Sequence, residues 1–249
     1  MRILKETRYE YLNSNYMREN RRGKTLLLVG IPVSILGFCL AIFTTNPSGI
    51  GWLALFLGLI LSGWGAKYLA SSRSYQSGIE GEKAVVEALQ ELDDSYYLIN
   101  DIMAGRRGGN IDHVLVSPKG VFVIETKNYT GDVRCEGDCW SKEGKYRPYE
   151  IRSVSKQARN NAAYLGDLIR RKVKPGIFVR AICVFTDPGM GLQLHRPTVE
   201  VLRIAELAKF IMEAPPLTTL TDSEIQMVAK CIIKEHYKYS SEGQNTKES

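Results

Sequence analysis

The residues with the clearest potential for chemistry are Asp112, Glu125 and Lys127. They lie on two consecutive runs of alternating, often β-branched residues, Ile111 to Ser117 and Val121 to Asn128. A Ser-Pro-Lys-Gly turn joins the runs, and its proline and glycine favour a tight reversal, so the pattern predicts a β-hairpin. Alternation places Glu125 and Lys127 on one face. The turn places Asp112 opposite Glu125, with Cβ atoms about 5 to 7 Å apart.

Two carboxylates at that separation can share a divalent cation. Mg²⁺ or Mn²⁺ takes oxygen ligands and keeps several waters, so one or two carboxylates plus a substrate phosphate make a sufficient site. The ion polarises the phosphoryl oxygen and lowers the pKa of a bound water, while the Lys127 ammonium can orient that water or stabilise developing charge. The pattern indicates a metal-dependent phosphodiesterase. A cross-strand salt bridge on a solvated sheet face is the alternative interpretation.

Two amphipathic helices are predicted to flank this hairpin. The first opens at Ser77, carries apolar residues at helical spacing, and places Glu82 in its first turn as a third acidic group. The second, Ser153 to Lys172, carries Gln157 beside its apolar stripe as a candidate site residue. The remaining predicted elements are a buried strand, a short strand and two helices: Gly176 to Thr186, Val199 to Leu202, Ala205 to Met212 and Thr221 to Tyr237.

Roughly residues 77 to 190 resemble the nuclease-related domain (NERD) family, through the runs GIEGE at 78–82, IDHVLV at 111–116 and GVFVIETKN at 120–128. That family is assigned to the restriction-endonuclease-like superfamily with the PD-(D/E)xK core. The resemblance implies an α/β fold with a core of helix, β-hairpin within a mixed sheet, helix and strand. Ile111 stands where the superfamily pattern has proline. The implied catalytic set is Glu82, Asp112, Glu125, Lys127 and Gln157, of which Glu82, Asp112 and Glu125 would hold Mg²⁺ or Mn²⁺.

A long uncharged segment precedes this region. From Thr25 to Ala66 there are 42 residues without Lys, Arg, Asp, Glu or His, enough for two membrane spans of roughly 20 residues each. Turn residues at 44–49 interrupt it, which predicts a helical hairpin with spans of Leu26 to Phe43 and Ile50 to Leu69. A cleavable signal peptide is the rival interpretation. The long preceding segment, the missing A-x-A site and the second apolar run disfavour it.

Charges around the hairpin predict its orientation. Seven Lys and Arg residues precede the first span, Lys67 and Arg73 follow the second, and the connecting loop has none. Both ends are therefore expected in the cytoplasm. The predicted organisation is a basic cytoplasmic N-terminus (1–24), two transmembrane helices (25–70), a nuclease-related α/β domain (71–239) and a disordered polar tail (240–249).

This organisation also explains the net charge of +6. Residues 1–24 hold seven basic and three acidic residues, and Lys67 adds one positive charge, which leaves 25 basic against 24 acidic residues in 71–249. The basic excess is thus mainly juxtamembrane, where it faces the bilayer and its anionic lipid headgroups.

A local basic excess remains at residues 142–180, with 11 basic against three acidic residues. Lys156 and Arg159 within it, together with Arg106 and Arg107 in the glycine-rich loop before Asp112, are candidate contacts to nucleic-acid phosphates. A solvated helix face is an equally simple interpretation of the segment. The two differ in whether these residues lie on the same side as Asp112 and Glu125.

The chain contains no sequence motif for zinc binding, nucleotide binding or nucleophilic catalysis. The five cysteines include no C-x-x-C, no paired histidines suggest zinc, and no phosphate-binding glycine loop or nucleophile elbow is present, so no small-molecule cofactor is expected. The sequence predicts a membrane-anchored nuclease-like protein that hydrolyses nucleic-acid phosphodiesters, with DNA favoured over RNA as the partner. One alternative is a non-catalytic, membrane-tethered module that binds nucleic acid or another partner. Another is a membrane protein whose acidic cluster is an ion-pair network.

Overall fold

The structure, a computed structural model, describes residues 1–5, 10–43, 49–105 and 109–245, which form a mixed α/β protein. The chain divides into two compact units. One is Tyr9–Glu80, and the other combines Met1–Arg8 with Gly81–Ser249. The first unit is helical, and the second carries both β-sheets.

The helical unit consists of α1 (Glu10–Phe43) and most of α2 (Ile50–Leu89). Both helices are long and apolar enough to cross a membrane, and only 11% of the apolar window of each is buried. Leu28, Leu53 and Phe56 are among the large apolar side chains left exposed. Both helices thus leave most of their apolar surface uncovered, unlike the core helix of a soluble protein.

Glycines spaced seven residues apart bring α1 and α2 together. Gly23, Gly30 and Gly37 lie along α1 and meet a matching series on α2 in reverse order. A Cβ on Gly37 would lie 2.3 Å from Leu55 N, and one on Gly58 would lie 2.4 Å from Ser34 N. Only glycine permits so close a backbone approach, a packing mode typical of membrane helices.

Both helices are longer than predicted. Helix α1 begins at Glu10 rather than Leu26, and α2 continues unbroken to Leu89 instead of ending near Leu69. The helix that carries Glu82 is therefore the continuation of the second apolar helix. The compact α/β unit accordingly divides from the helical unit at Gly81 rather than at residue 71.

The described part of the α/β unit contains ten strands and three more helices. The strands are β1 (Arg2–Lys5), β2 (Tyr97–Met103), β3 (Asn110–Ser117), β4 (Gly120–Lys127), β5 (Asp132–Glu136), β6 (Cys139–Lys142), β7 (Tyr149–Ile151), β8 (Val179–Phe185), β9 (Gly191–His195) and β10 (Glu200–Arg203). The helices are α3 (Val154–Lys172), α4 (Leu207–Glu213) and α5 (Asp222–Asn245).

The main sheet has six strands in the order β1-β2-β3-β4-β8-β10. Strands β2, β3 and β4 are antiparallel neighbours, while β1, β8 and β10 join in parallel. Helices α3 and α5 cover one face around Val121 and Val123. The end of α2 and helix α4 cover the other face around Phe122 and Ile124. Because both faces are covered, every residue of β4 from Gly120 to Thr126 is buried.

The smaller sheet, in the order β7-β6-β5-β9, packs against the start of α3. Trp140 of β6 is buried, stacks on Phe185 with ring centroids 5.5 Å apart, and donates from Nε1 to Ser155 Oγ at 3.0 Å. Asp138, in the turn between β5 and β6, accepts hydrogen bonds from Ser155 and Arg159 of α3. These contacts fix the smaller sheet to the helix that follows it.

The predicted elements of the core are confirmed, with three differences. The hairpin, α3, β8 and β10 lie within a few residues of their predicted bounds. Strands β1 and β2 and the smaller sheet were not predicted. Helix α5 runs through Asn245, whereas the sequence predicted a disordered tail from residue 240.

Candidate active site

Glu125 and Lys127 lie at the carboxyl end of β4, on the face covered by α3. The Glu125 side chain is 1% exposed, and its Oε1 forms an ion pair with Lys127 Nζ. Two residues apart on a strand, the pair shares one face, as the alternation predicted. A carboxylate so deeply buried is stabilised in its charged form only by such partners.

Helix α3 provides a second partner for Glu125. Asn161 Nδ2 donates to Glu125 Oε2 at 3.4 Å, and the Asn161 side chain is buried. The sequence had singled out Gln157, which lies one turn earlier on the same face and is half-buried. The α3 residue that contacts the acidic pair is therefore Asn161. Its four-residue spacing from Gln157 was the signal that could have identified it.

Asp112 lies on β3 beside this pair. The register pairs Ser117 with Gly120 and His113 with Ile124, so one step further Asp112 stands level with Glu125, as predicted. Asp112 Oδ2 accepts the backbone N–H of Thr126 at 2.8 Å. Burial raises the Asp112 pKa, which the Lys127 charge and the Thr126 hydrogen bond partly offset.

Glu82 approaches the site from α2. The sequence placed it in the first turn of a helix, but it lies well inside α2. The preceding Gly81 sets the approach, because a Cβ there would lie 2.9 Å from Asn128 Cβ and 3.1 Å from Thr186 Oγ1. Burial, followed by the nearby Asp112 charge, raises the Glu82 pKa to about 8.

The site holds more negative charge than its single lysine neutralises. Burial and the Asp112 charge raise the pKa of Glu125 to about 8, despite Lys127. Burial opposes the charge on Lys127, but Glu125 and Asp112 outweigh it and raise the Lys127 pKa. The carboxylates therefore compete for compensation, either by protons or by a bound cation.

A fourth carboxylate, Asp101, was missed from the sequence. It lies on β2 with φ of 58°, a conformation that aspartate tolerates better than most residues. Its charge contributes to the raised pKa of both Glu82 and Asp112. Lys5 Nζ donates to the backbone carbonyls of Asn100 at 2.9 Å and Asp101 at 2.8 Å, so β1 holds this bend in place.

The donor set suits a hard divalent cation, although no complete cage is formed. Among residues 1–5, 10–43, 49–105 and 109–245, no three His, Cys, Asp or Glu side chains are grouped closely enough to hold a metal on their own. Magnesium needs only one or two carboxylates when waters and substrate phosphates complete its shell. Asp112 and Glu125, at the same level of adjacent strands, provide that minimum.

The four residues predicted to contact phosphate differ in whether the structure describes them and in what they contact. Arg106 and Arg107 lie outside the described residues. Lys156 is exposed near the start of α3. Arg159 donates from its guanidinium to Asp138 Oδ2 at 2.7 Å, so its charge is largely compensated by this carboxylate.

Comparison with known proteins finds one family model that matches the part of the chain carrying this site. Residues 77–186 match the family model described as NERD, nuclease-related domain, and this segment contains Glu82, Asp112, Glu125, Lys127 and Asn161. An uncharacterized protein of Bacillus anthracis is 43% identical over 58 residues, which cover 22% of this chain and 27% of that protein. The match thus spans about a quarter of that relative. The chain matches no solved structure.

Proposed function

We propose that this protein is a membrane-anchored, divalent-metal-dependent nuclease that hydrolyses phosphodiester bonds in nucleic acid. The observation that carries the proposal is the buried Glu125, bonded to Lys127 and Asn161 and level with Asp112, inside a segment that matches a nuclease-related domain. The order of helix, antiparallel strands, helix and strand around this site supports a restriction-endonuclease-like core.

Each residue has a role that its contacts suggest. Asp112 and Glu125 would hold Mg²⁺ or Mn²⁺, with Glu82 as a further ligand, directly or through water. When bound, such an ion polarises a phosphoryl oxygen and acidifies a water. Lys127 stabilises the charged form of Glu125 against its burial and offers its ammonium to charge that develops on the phosphate. Asn161 fixes the orientation of the Glu125 carboxylate.

The proposed anchor is the α1–α2 hairpin. Strand β1 precedes both helices in the chain, yet it pairs with β2, which follows them. If the helices span a membrane, this pairing supports a two-span arrangement in which both ends of the hairpin lie on the same side. The basic residues on both flanks favour the cytoplasm as that side. Membrane-impermeant labelling should modify a cysteine at Asn46 from outside the cell, whereas labelling at the C-terminus from outside would refute the orientation.

Catalysis is tested with the full chain in lipid nanodiscs, because a fragment without residues 1–5 would lose the edge strand β1. Labelled DNA and RNA are incubated with Mg²⁺, Mn²⁺ or EDTA. We expect metal-dependent cleavage that Glu125→Gln, Asp112→Asn and Lys127→Met each reduce by about three orders of magnitude or more. Glu87→Gln, an exposed glutamate on the same helix as Glu82, is the matched control and should retain activity.

The same experiment distinguishes the alternatives. Binding without cleavage under any divalent metal, unchanged by Glu125→Gln, would identify a non-catalytic nucleic-acid-binding module. Absence of both binding and cleavage would leave the acidic cluster as a structural ion-pair network.

A further inference from the structure

The smaller sheet presents an arm beside the acidic site. Strands β6 and β7 pair antiparallel, with Trp140 opposite Ile151 and Lys142 opposite Tyr149, and residues 143–148 connect them. The base of this hairpin is fixed by the buried Trp140. Its tip is open, since residues 145–150 are all exposed. A rigid base with an exposed tip is a suitable support for ligand contacts.

Two tyrosines on the arm leave their rings uncovered. Tyr146 is 89% exposed and Tyr149 is 50% exposed. A third ring, Tyr129, lies half-exposed nearby, with Lys142 Nζ 5.1 Å from its centroid. Lys145 Nζ lies 5.3 Å from the centroid of Tyr146. Cations alternate with aromatic faces, a combination typical of surfaces that bind unpaired nucleotides.

The cations of the arm have no carboxylate partner among the described residues. In the described part of the chain, Lys142, Lys145, Arg147 and Arg152 form no ion pair with a carboxylate. Arg159 and Arg170 of α3, by contrast, are paired with Asp138 and Asp167. The arm therefore offers positive charge to an external phosphate, as do Lys156 and Lys172 of α3, for which the described residues likewise provide no carboxylate partner.

The arm is continuous with the catalytic face. Tyr129 follows Lys127 by two residues, and Arg152 lies two residues before the start of α3, the helix that carries Asn161. The charge on Arg152 acts on Glu125, and the charge on Lys127 acts on Tyr129. A strand lying across the arm would thus lead towards the acidic residues.

We propose that the β6–β7 hairpin, with Tyr129 and Arg152, binds single-stranded nucleic acid and guides it to the acidic site. Exposed rings can stack only on bases that are unpaired, because the base faces of a duplex are already stacked. The inference rests on the proposed function for the fate of the strand, but binding itself does not require catalysis.

The test measures binding of the full chain in nanodiscs, in EDTA, by fluorescence anisotropy. The probes are a labelled 20-nucleotide single strand and the same strand in a duplex. We expect the single strand to bind more tightly. Tyr146→Ala with Tyr149→Ala should weaken single-strand binding about tenfold or more, since stacking on one ring is worth about that factor. Tyr146→Phe with Tyr149→Phe keeps both rings and should bind like the wild type.

Variants that remove positive charge test the phosphate contacts independently, through the salt dependence of binding. Lys145→Gln with Arg147→Gln should reduce the slope of log affinity against log salt by about 1.4, because each single-strand phosphate contact contributes about 0.7. The tyrosine-to-alanine pair should leave that slope unchanged. A melting temperature equal to the wild type would show that the variants are folded, as the exposure of Tyr146 predicts.

The possible results separate this inference from the proposed function. Tight single-strand binding that depends on the tyrosine rings, without cleavage when metal is added, would support the arm and reject the nuclease. Cleavage that is insensitive to the alanine pair, or a duplex bound as tightly as the single strand, would overturn the arm while leaving the nuclease intact. Absence of nucleic-acid binding in EDTA would also overturn it.

Discussion

Asn161 of α3 donates a hydrogen bond to the buried carboxylate of Glu125 on β4, across 3.4 Å. This bond ties the helix to the strand that carries the acidic residue and the lysine. Lys127 and Asn161 thus bond to different oxygens of the Glu125 carboxylate. The orientation of Glu125 therefore depends on two elements rather than one.

The first prediction compares the two α3 amides. Asn161→Ala should lower the rate of cleavage about tenfold, because a hydrogen bond to a charged group contributes roughly 1.5 to 3 kcal/mol. Gln157→Ala, one turn away and half-buried, should have a smaller effect. Single-turnover cleavage rates provide the measurement. A larger loss of rate in the Gln157 variant would mean that Gln157, the residue predicted from the sequence, contributes more to the site than Asn161.

The second prediction concerns the close approach of α2 to the strand ends. Gly81→Ala would place a methyl group 2.9 Å from Asn128 Cβ, so α2 must shift and carry Glu82 with it. We expect a loss of about 1 to 3 kcal/mol in stability and a lower cleavage rate. Gly78→Ala is the matched control on the same helix, with its nearest contact at 3.9 Å. It should be neutral or stabilising, by up to about 1 kcal/mol. Equal melting temperatures for the two variants would contradict the packing argument.

The third prediction is a pH dependence of metal binding. Glu82 and Glu125 have pKa values raised from 4.5 to about 8, so the metal-free folded state retains protons that the unfolded state releases. Their contribution to stability is complete below about pH 4.5 and is lost as the pH rises through about 8. A metal ion displaces these protons, so its apparent affinity should increase over the same range.

The measurement is the rise in melting temperature caused by Mn²⁺ at several pH values. We expect the rise to grow from about pH 6 to about pH 8. Asp112→Asn should abolish it. A rise that is independent of pH, or that persists in this variant, would place the ion elsewhere.

The fourth prediction concerns the helical hairpin. Gly30→Leu should force α1 and α2 apart, because a Cβ at that position would already lie 2.8 Å from Ser62 N. Gly63→Leu adds the same side chain to a position of α2 with nothing within 4 Å and should be tolerated. Protease resistance of the full chain in nanodiscs would be reduced in the first variant only. Equal resistance in both would mean that the glycine contacts do not hold the hairpin.

The hairpin of β3 and β4 was predictable because its determinants are local. Alternation sets the faces and the turn sets the register, so Asp112, Glu125 and Lys127 were placed correctly relative to one another. The length of α2 was not predictable in the same way. Taken alone, the polar segment before Gly78 resembles a linker. It is helical in the structure because helix on both sides of it extends through it.

The contacts that complete the site come from distant parts of the chain. Strand β1 has four residues, too few for a periodic signal, and its partner β2 is more than 90 residues away. Asp101 depends on a backbone bend that Lys5 stabilises from β1. Such relationships follow from tertiary packing, which overrides local preference.

The position of β1 in the sheet has a consequence for biosynthesis. This strand is synthesised before both long helices, whereas its partner β2 is synthesised after them. If the helices insert as proposed, the sheet edge closes only when α1 has entered the membrane in the correct direction, since the opposite direction would leave β1 in the other compartment. Lys5 then reaches the Asp101 bend only in chains that are inserted correctly, and the assembly of the acidic site reports on the success of membrane insertion.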